Sequence, residues 1–298
     1  MLRCMSALAH LPDTKQFPIR HVAQVTGVLP VTLRAWERRY GLIKPERTPK
    51  GHRLYSEADI QTVHQIVRLI DQGISVGRVR QSLSGIGKEE DTVSDWPEFR
   101  EQLLRSLYGL NAMQALAVLR RVGALYPLHA LLGELIRPAL LQLQHSEASG
   151  RWAFRSMLMQ AIHLYMDQRT VGVEVNTRQQ PILISRCLAA GDDLQARVFE
   201  AQAREAGLDL RWIGSAPSPL AFADLLQTSG AGGGLLWEDA EPVDDWAAQL
   251  QQLKHASPVP LAVAGDFSLR HVTRLQELAV PVLAQDATAA LQMLRTWK

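Results

Sequence analysis

The stretch IRHVAQVTGVLPVTLRAWERRYGLIKPERTPKGHRLY, residues 19–55, decides how the first part of this chain folds. It predicts a short helix, a tight turn, a second helix ending in WERRYG, and a basic hairpin. Ala23, Gly27 and Leu33 carry the spacing. A small residue lets two helices approach, a glycine takes a left-handed turn, and a leucine packs the second helix on the first. Pro30 suits the first turn of that second helix. On this reading Val31, Leu33 and Trp36 supply packing surface, while Thr32, Arg34 and Arg38 face outward. Arg39 and Tyr40, near the helix end, reach toward phosphates. In the hairpin, Arg47, Lys50, His52, Arg53 and Tyr55 form cationic and aromatic tips around a turn at Gly51. Contacts of that kind anchor a nucleic-acid backbone and add affinity more than sequence choice.

Charge supports the same assignment. Residues 15–83 hold twelve Lys and Arg against five Asp and Glu, a local net charge of +7; the whole chain is only +2, so the remainder carries −5. A basic head on an acidic body fits a phosphate-facing domain joined to a regulatory one. The 298-residue length leaves room for two or three domains, and no apolar run reaches the length of a membrane span. Two cysteines, Cys4 and Cys187, lie too far apart in sequence to suggest a disulfide framework or a metal pair, which points to reduced thiols in the cytoplasm.

Working outward, residues 1–16 read as a flexible tail, 17–84 as a winged helix-turn-helix domain, and 85–94 as a polar, glycine-containing linker. Ser56, Glu57 and Asp59 open a helix carried by Ile60, Val63, Val67 and Ile70. Residues 95–172 show helical periodicity throughout and predict a four-helix bundle. Asp95 is expected to cap its first helix, and Pro138 to kink or split its third. Residues 180–298 alternate short apolar strands with amphipathic stretches. Five such repeats predict a five-stranded parallel, doubly wound (Rossmann-like) sheet. The expected fold class is therefore multidomain, α and α/β.

Motifs for enzyme chemistry are missing: no Gly-x-Ser-x-Gly, P-loop, HExxH or CxxC occurs. The chain is expected not to be an enzyme. The GAGGG run at 230–234 precedes a strand and reads as a flexible loop rather than a phosphate cradle. Asp192 and Asp193 read as helix caps, Cys187 as a small buried hydrophobe, and Trp237 as packing.

Residues 18–83, above all VTLRAWERRYGLIKPERTPKGHRLYSEADI, resemble the winged helix-turn-helix of MerR-type transcription regulators, in the CarH/LitR/MlrA-like branch. The resemblance implies a homodimer or higher oligomer on an inverted repeat of double-stranded promoter DNA, with RNA polymerase as a further partner. It also implies a bacterial cytoplasmic, nucleoid setting and a cobalamin-binding-type α/β domain after a helical bundle. In cobalamin-binding members the loop after the first strand reads Asp-x-His-x-x-Gly, and its His ligates cobalt. Here Asp192 matches the Asp, Leu194 replaces the His and Arg197 the Gly. The family's Trp-x9-Glu-His signature is met by Trp152 and His163, but Ile162 replaces the Glu. The resemblance thus implies a degenerate domain without cobalamin, an activator rather than a repressor, a link to biofilm genes, and input from a sensory protein. Two alternatives stay open: a light-sensing cobalamin repressor using a non-standard site through His163, and a corrinoid carrier or enzyme with an incidental basic head.

Overall fold

The computed structural model describes residues 15–83, 95–173, 175, 180–187, 192–240, 245–284 and 286–297. The expected tail up to residue 14 and all of the expected linker lie outside them. The chain divides into two compact units, residues 1–161 and 162–298.

The first unit opens with strand β1 (Phe17–Pro18), helix α1 (Ile19–Thr26) and helix α2 (Pro30–Ala35). Gly27 closes α1 at φ +68°, its N–H donating to the Ala23 carbonyl, so the glycine performs the left-handed turn that its position suggested. Pro30 stands in the first turn of α2, where its missing N–H costs nothing. A π-helical turn, Trp36–Tyr40, continues α2 and stops at Gly41, φ +60°. Strands β2 (Glu46–Arg47) and β3 (Arg53–Tyr55) form an antiparallel hairpin, and β1 pairs with the other edge of β3, giving the order β1-β3-β2. Its turn is tied by the Gly51 N–H to the Thr48 carbonyl and by the His52 N–H to Thr48 Oγ1. Helix α3 (Glu57–Asp71) starts on a complete capping box, Ser56 and Asp59 each accepting from the other's backbone N–H. Helix α4 (Val76–Leu83) follows.

The helical segment holds α5 (Trp96–Tyr108), α6 (Ala112–Gly123), α7 (Leu128–Ala130), α8 (Arg137–Gln144) and α9 (Arg151–Thr170). A π-helical turn, Leu131–Ile136, joins α7 to α8 and delivers Pro138 into the first turn of α8. The proline is absorbed by that change of hydrogen-bond period, because it has no N–H to donate. Asp95 does not cap α5: its side chain makes no cap bond and its Oδ2 accepts instead from the Tyr126 hydroxyl at 3.4 Å. The boundary between the units falls inside α9.

The second unit carries a parallel sheet of four strands, β4 (Ile182–Arg186), β5 (Leu210–Ser215), β6 (Gly233–Trp237) and β7 (Leu261–Ala264), in the order β5-β4-β6-β7. Helices α10 (Leu194–Glu205), α11 (Pro219–Thr228), α12 (Trp246–Ala256), α13 (Asp266–Arg270), α14 (Val272–Glu277) and α15 (Ala287–Arg295) complete it. Strand alternation builds two cores. Ile182, Ile184, Leu235 and Ala262 meet Phe199 of α10 and Leu294 of α15. Leu183, Leu236 and Val263 meet Phe222 of α11, Leu250 of α12 and Leu275 of α14 on the other face. The two-faced cover is the doubly wound layering that the alternating pattern predicts.

Among the described residues the sheet has four strands, not the expected five. The segment around Val282 adds one parallel bridge, to Val263. Pro281 accepts from the Val263 N–H but has no N–H of its own to extend the ladder. The glycine run is corrected too: Gly233 and Gly234 lie buried in β6 rather than in a loop. A Cβ at Gly233 would fall 2.2 Å from the Trp297 ring and one at Gly234 2.6 Å from Leu261, so close packing, not flexibility, explains these glycines.

Candidate nucleic-acid interface

Helix α2 and its π-helical continuation have two opposite faces. Thr32, Leu33 and Trp36 are buried, while Val31, Arg34 and Arg38 are exposed. The intervals of three and four residues put each set on one side of a 3.6-residue helix. Two expectations change places here. Thr32, expected to face outward, is only 1% exposed; Val31, expected to pack, is 48% exposed. The helical phase set by Leu33 and Trp36 takes Thr32 inward and leaves Val31 on the arginine face.

Arg39 is exposed, as are Lys50, Gly51 and His52 at the hairpin turn. Tyr40 is half-buried, and a Cβ at Gly77 in α4 would lie 4.0 Å from its ring, so Tyr40 packs beside α4. Tyr55 is not an exposed tip. It is fully buried, and its hydroxyl finds no partner among the described residues. Burial, with Glu37 nearby, pushes that hydroxyl up to about 12.

Arg53 is likewise not free. Its side chain is 12% exposed and its Nε pairs with Glu37 Oε2, while Arg47 Nη2 meets Glu37 Oε1 at 2.8 Å. Burial would raise the Glu37 carboxyl, but the hydrogen bonds and charges of Arg53 and Arg47 outweigh it and hold the group below its ordinary value. Glu37 therefore clamps both strands of the hairpin to the second helix. Sequence reasoning missed it, although a lone acid inside WERRY, in so basic a segment, was a usable signal.

Trp36 makes a second unforeseen link. Its indole Nε1–H donates to the Leu125 carbonyl at 2.8 Å in a buried setting. Nearby, the Tyr126 hydroxyl accepts from the Val76 N–H at 3.5 Å, and His129 Nε2 lies 2.7 Å from Asp71 Oδ1. The basic head and the segment after α6 thus share hydrogen bonds within one compact unit.

In the second unit, the residues compared with a cobalt site are engaged with protein groups. Leu194 is buried at the start of α10, and its N–H donates to Asp192 Oδ1 at 3.2 Å. Asp193 does not cap the helix through its side chain; its Oδ1 lies 2.8 Å from His163 Nε2. Desolvation opposes ionisation of Asp193, yet the His163 contact and charge hold its carboxyl low. Arg197 pairs with Asp167 and Glu200, and Arg169 with Glu205. Trp152, in the first unit, is 75% exposed.

The carboxyl edge of the sheet is tied to itself. Arg186 donates to the Asp192 carbonyl at 2.7 Å and to Ser215 Oγ at 3.1 Å, and the Cys187 N–H donates to Glu238 Oε1 at 2.6 Å. Burial pushes the Cys187 thiol up to about 12, so it is a poor nucleophile. Trp237 packs on Phe199 and donates to Asp239. Among the described residues, no group of three His, Cys, Asp or Glu side chains is placed to hold a metal ion, and no helix is long and apolar enough to cross a membrane.

Comparison with known proteins agrees with the head geometry. A 128-residue stretch is 40% identical to the HTH-type transcriptional regulator MlrA of Salmonella typhimurium strain LT2, covering 43% of this chain and 52% of that protein. A 147-residue stretch is 29% identical to the HTH-type transcriptional repressor CarH of Myxococcus xanthus, covering 46% and 49%. The chain thus spans about half the length of the curated relatives it matches. A crystal structure of a cobalamin-binding protein from Desulfitobacterium hafniense DCB-2 aligns over 69% of this chain and 100% of that one, with a TM-score of 0.34 and 12% identity, too slight a likeness to bear on the fold. Residues 17–86 match the model of the MerR HTH family regulatory proteins.

Proposed function

We propose that this chain is a MerR-type transcription regulator that binds double-stranded promoter DNA through α2 and the β2–β3 hairpin. One observation carries the proposal: Arg34 and Arg38 stand together on the exposed face of the second helix, opposite the buried Thr32, Leu33 and Trp36. In a helix-turn-helix that helix enters the major groove. Lys50 and His52, exposed at the hairpin turn, serve as the wing's backbone contacts, with Arg47 beside them. Arg53 and Tyr55 hold the wing's shape.

The test is duplex binding across a salt series. Arg34→Ala and Arg38→Ala should each weaken binding and reduce the salt slope by about one phosphate equivalent if they meet the backbone, or relax sequence preference if they meet bases. Salt-independent binding, or none, sinks the proposal. An inverted-repeat site, a dimer, and activation together with RNA polymerase belong to the same reading. Transcription from a bound promoter, with and without the protein, decides the sign.

The regulatory side rests on a misfit. The donor set expected of a cobalt-ligating loop is replaced by a buried leucine at Leu194, and the neighbouring Asp193 and Arg197 are paired with side chains of α9 and α10. These residues do not suit a His-ligated cobalamin, which favours control by a protein partner or another ligand. Protein incubated with adenosylcobalamin should elute without a visible corrinoid band. A co-eluting stoichiometric band would instead support the alternative in which His163 serves a non-standard site.

A further inference from the structure

Val31 stands on the outward face of the second helix. It is the second residue of α2, 48% exposed, and it shares its face with Arg34 and Arg38, which are exposed as well. The buried side of the same helix already has its apolar contacts in Leu33 and Trp36. Val31, about half exposed, leaves part of a branched hydrocarbon side chain in water beside two cations. What gives this valine a partner is its place: it is an apolar side chain on the same face as Arg34 and Arg38, the face that the DNA-binding reading sets into the groove.

The DNA major groove exposes one apolar group, the C5-methyl of thymine. The first turn of a helix-turn-helix recognition helix is the part that meets base edges. The arginines one and two turns further on, at intervals of three and seven residues, supply the charge that brings the same face against phosphates and guanine edges. We propose that Val31 is a specificity-determining residue, its side-chain methyls packing against the C5-methyl of a thymine in each half-site. This inference rests on the DNA-binding reading above and deepens it: it names the base, and the atom, that an apolar residue selects.

Deoxyuridine differs from thymidine only by that methyl, which makes the contact testable one atom group at a time. Duplexes bound by the full-length chain are first selected from a random pool, and each thymine of the selected half-site is then replaced by deoxyuridine. One replacement should weaken the wild-type chain by about fourfold, the equivalent of one buried methylene. The same replacement should leave Val31→Ala within about twofold, because the partner methyls are already gone. Val31→Ala should keep the wild-type salt slope, since no phosphate contact is removed. Val31→Thr, which keeps one methyl, should fall between the two.

If every deoxyuridine site affects wild type and Val31→Ala equally, or none affects either, the thymine contact is overturned while DNA binding stands. If no duplex is retained with salt-dependent affinity, the DNA-binding reading fails, and this inference with it. A Val31→Ala chain with an unchanged selected sequence likewise overturns the contact.

Discussion

Glu37 is the one carboxylate among the cations of WERRY, and two of those that follow it in the hairpin are spent on it. Arg53 and Arg47 both meet it, with Arg53 and Glu37 only 12% and 16% exposed. Their charges are therefore not all available to phosphate, and counting arginines overstates the binding face. Removing the acid charge in Glu37→Gln should destabilise the head by about 1.5–3 kcal/mol, the range for hydrogen bonds to charged groups. Because the folded-state carboxyl is held below 4.5, its contribution is fully present above that value and is lost as the pH falls through the lower folded value. Urea midpoints of wild type and Glu37→Gln should then differ near neutral pH and converge as acid takes the pH below the carboxyl's ordinary range. A gap that widens in acid would contradict the clamp. Residue types and charges were legible in the sequence here, but the Glu37 pairing was not, since it joins positions ten and sixteen residues apart across a turn.

At the scale of elements, α2 and its π-helical extension do two things at once. One face presents Val31, Arg34 and Arg38; the other buries Trp36, whose indole N–H reaches the Leu125 carbonyl just beyond α6. A change in the helical segment could thus reach the second helix through a single buried bond. Trp36→Phe keeps most of the ring but deletes the donor. It should cost about 1–2 kcal/mol, because the Leu125 carbonyl is left buried without its partner. Thermal unfolding measures the loss, and hydrogen exchange should show the helix start after Leu125 opening more readily than in wild type. Unchanged stability and exchange would mean the contact carries no coupling. Helices, the Ser56 capping box and the turn glycine followed from local pattern, because each rests on contacts within a few residues. The phase of α2 did not: a small residue such as Thr32 sits equally well on either face until packing chooses.

Across each folded unit, long-range ion pairs decide what a composition count cannot. In the second unit, Arg169 has a side chain 2% exposed and is met by Glu205 and the Tyr165 hydroxyl. Arg169→Met leaves Glu205 as a buried charge without its partner and should destabilise that unit by about 3 kcal/mol. Chemical denaturation resolves this, and a replacement that leaves the midpoint unmoved would show the pair to be dispensable. Residue order alone was enough for the helix-turn-helix spacing, the helical middle, the alternation behind a parallel sheet, and the absence of a donor at Leu194. All of these live in residue identity or short-range period. It took long-range packing to give four strands among the described residues, to set Gly233 and Gly234 in close packing, to turn Tyr55 and Arg53 inward, and to leave Val31 facing out. Those outcomes depend on which distant side chains occupy the interior first, and burial free energy, not local propensity, makes that choice.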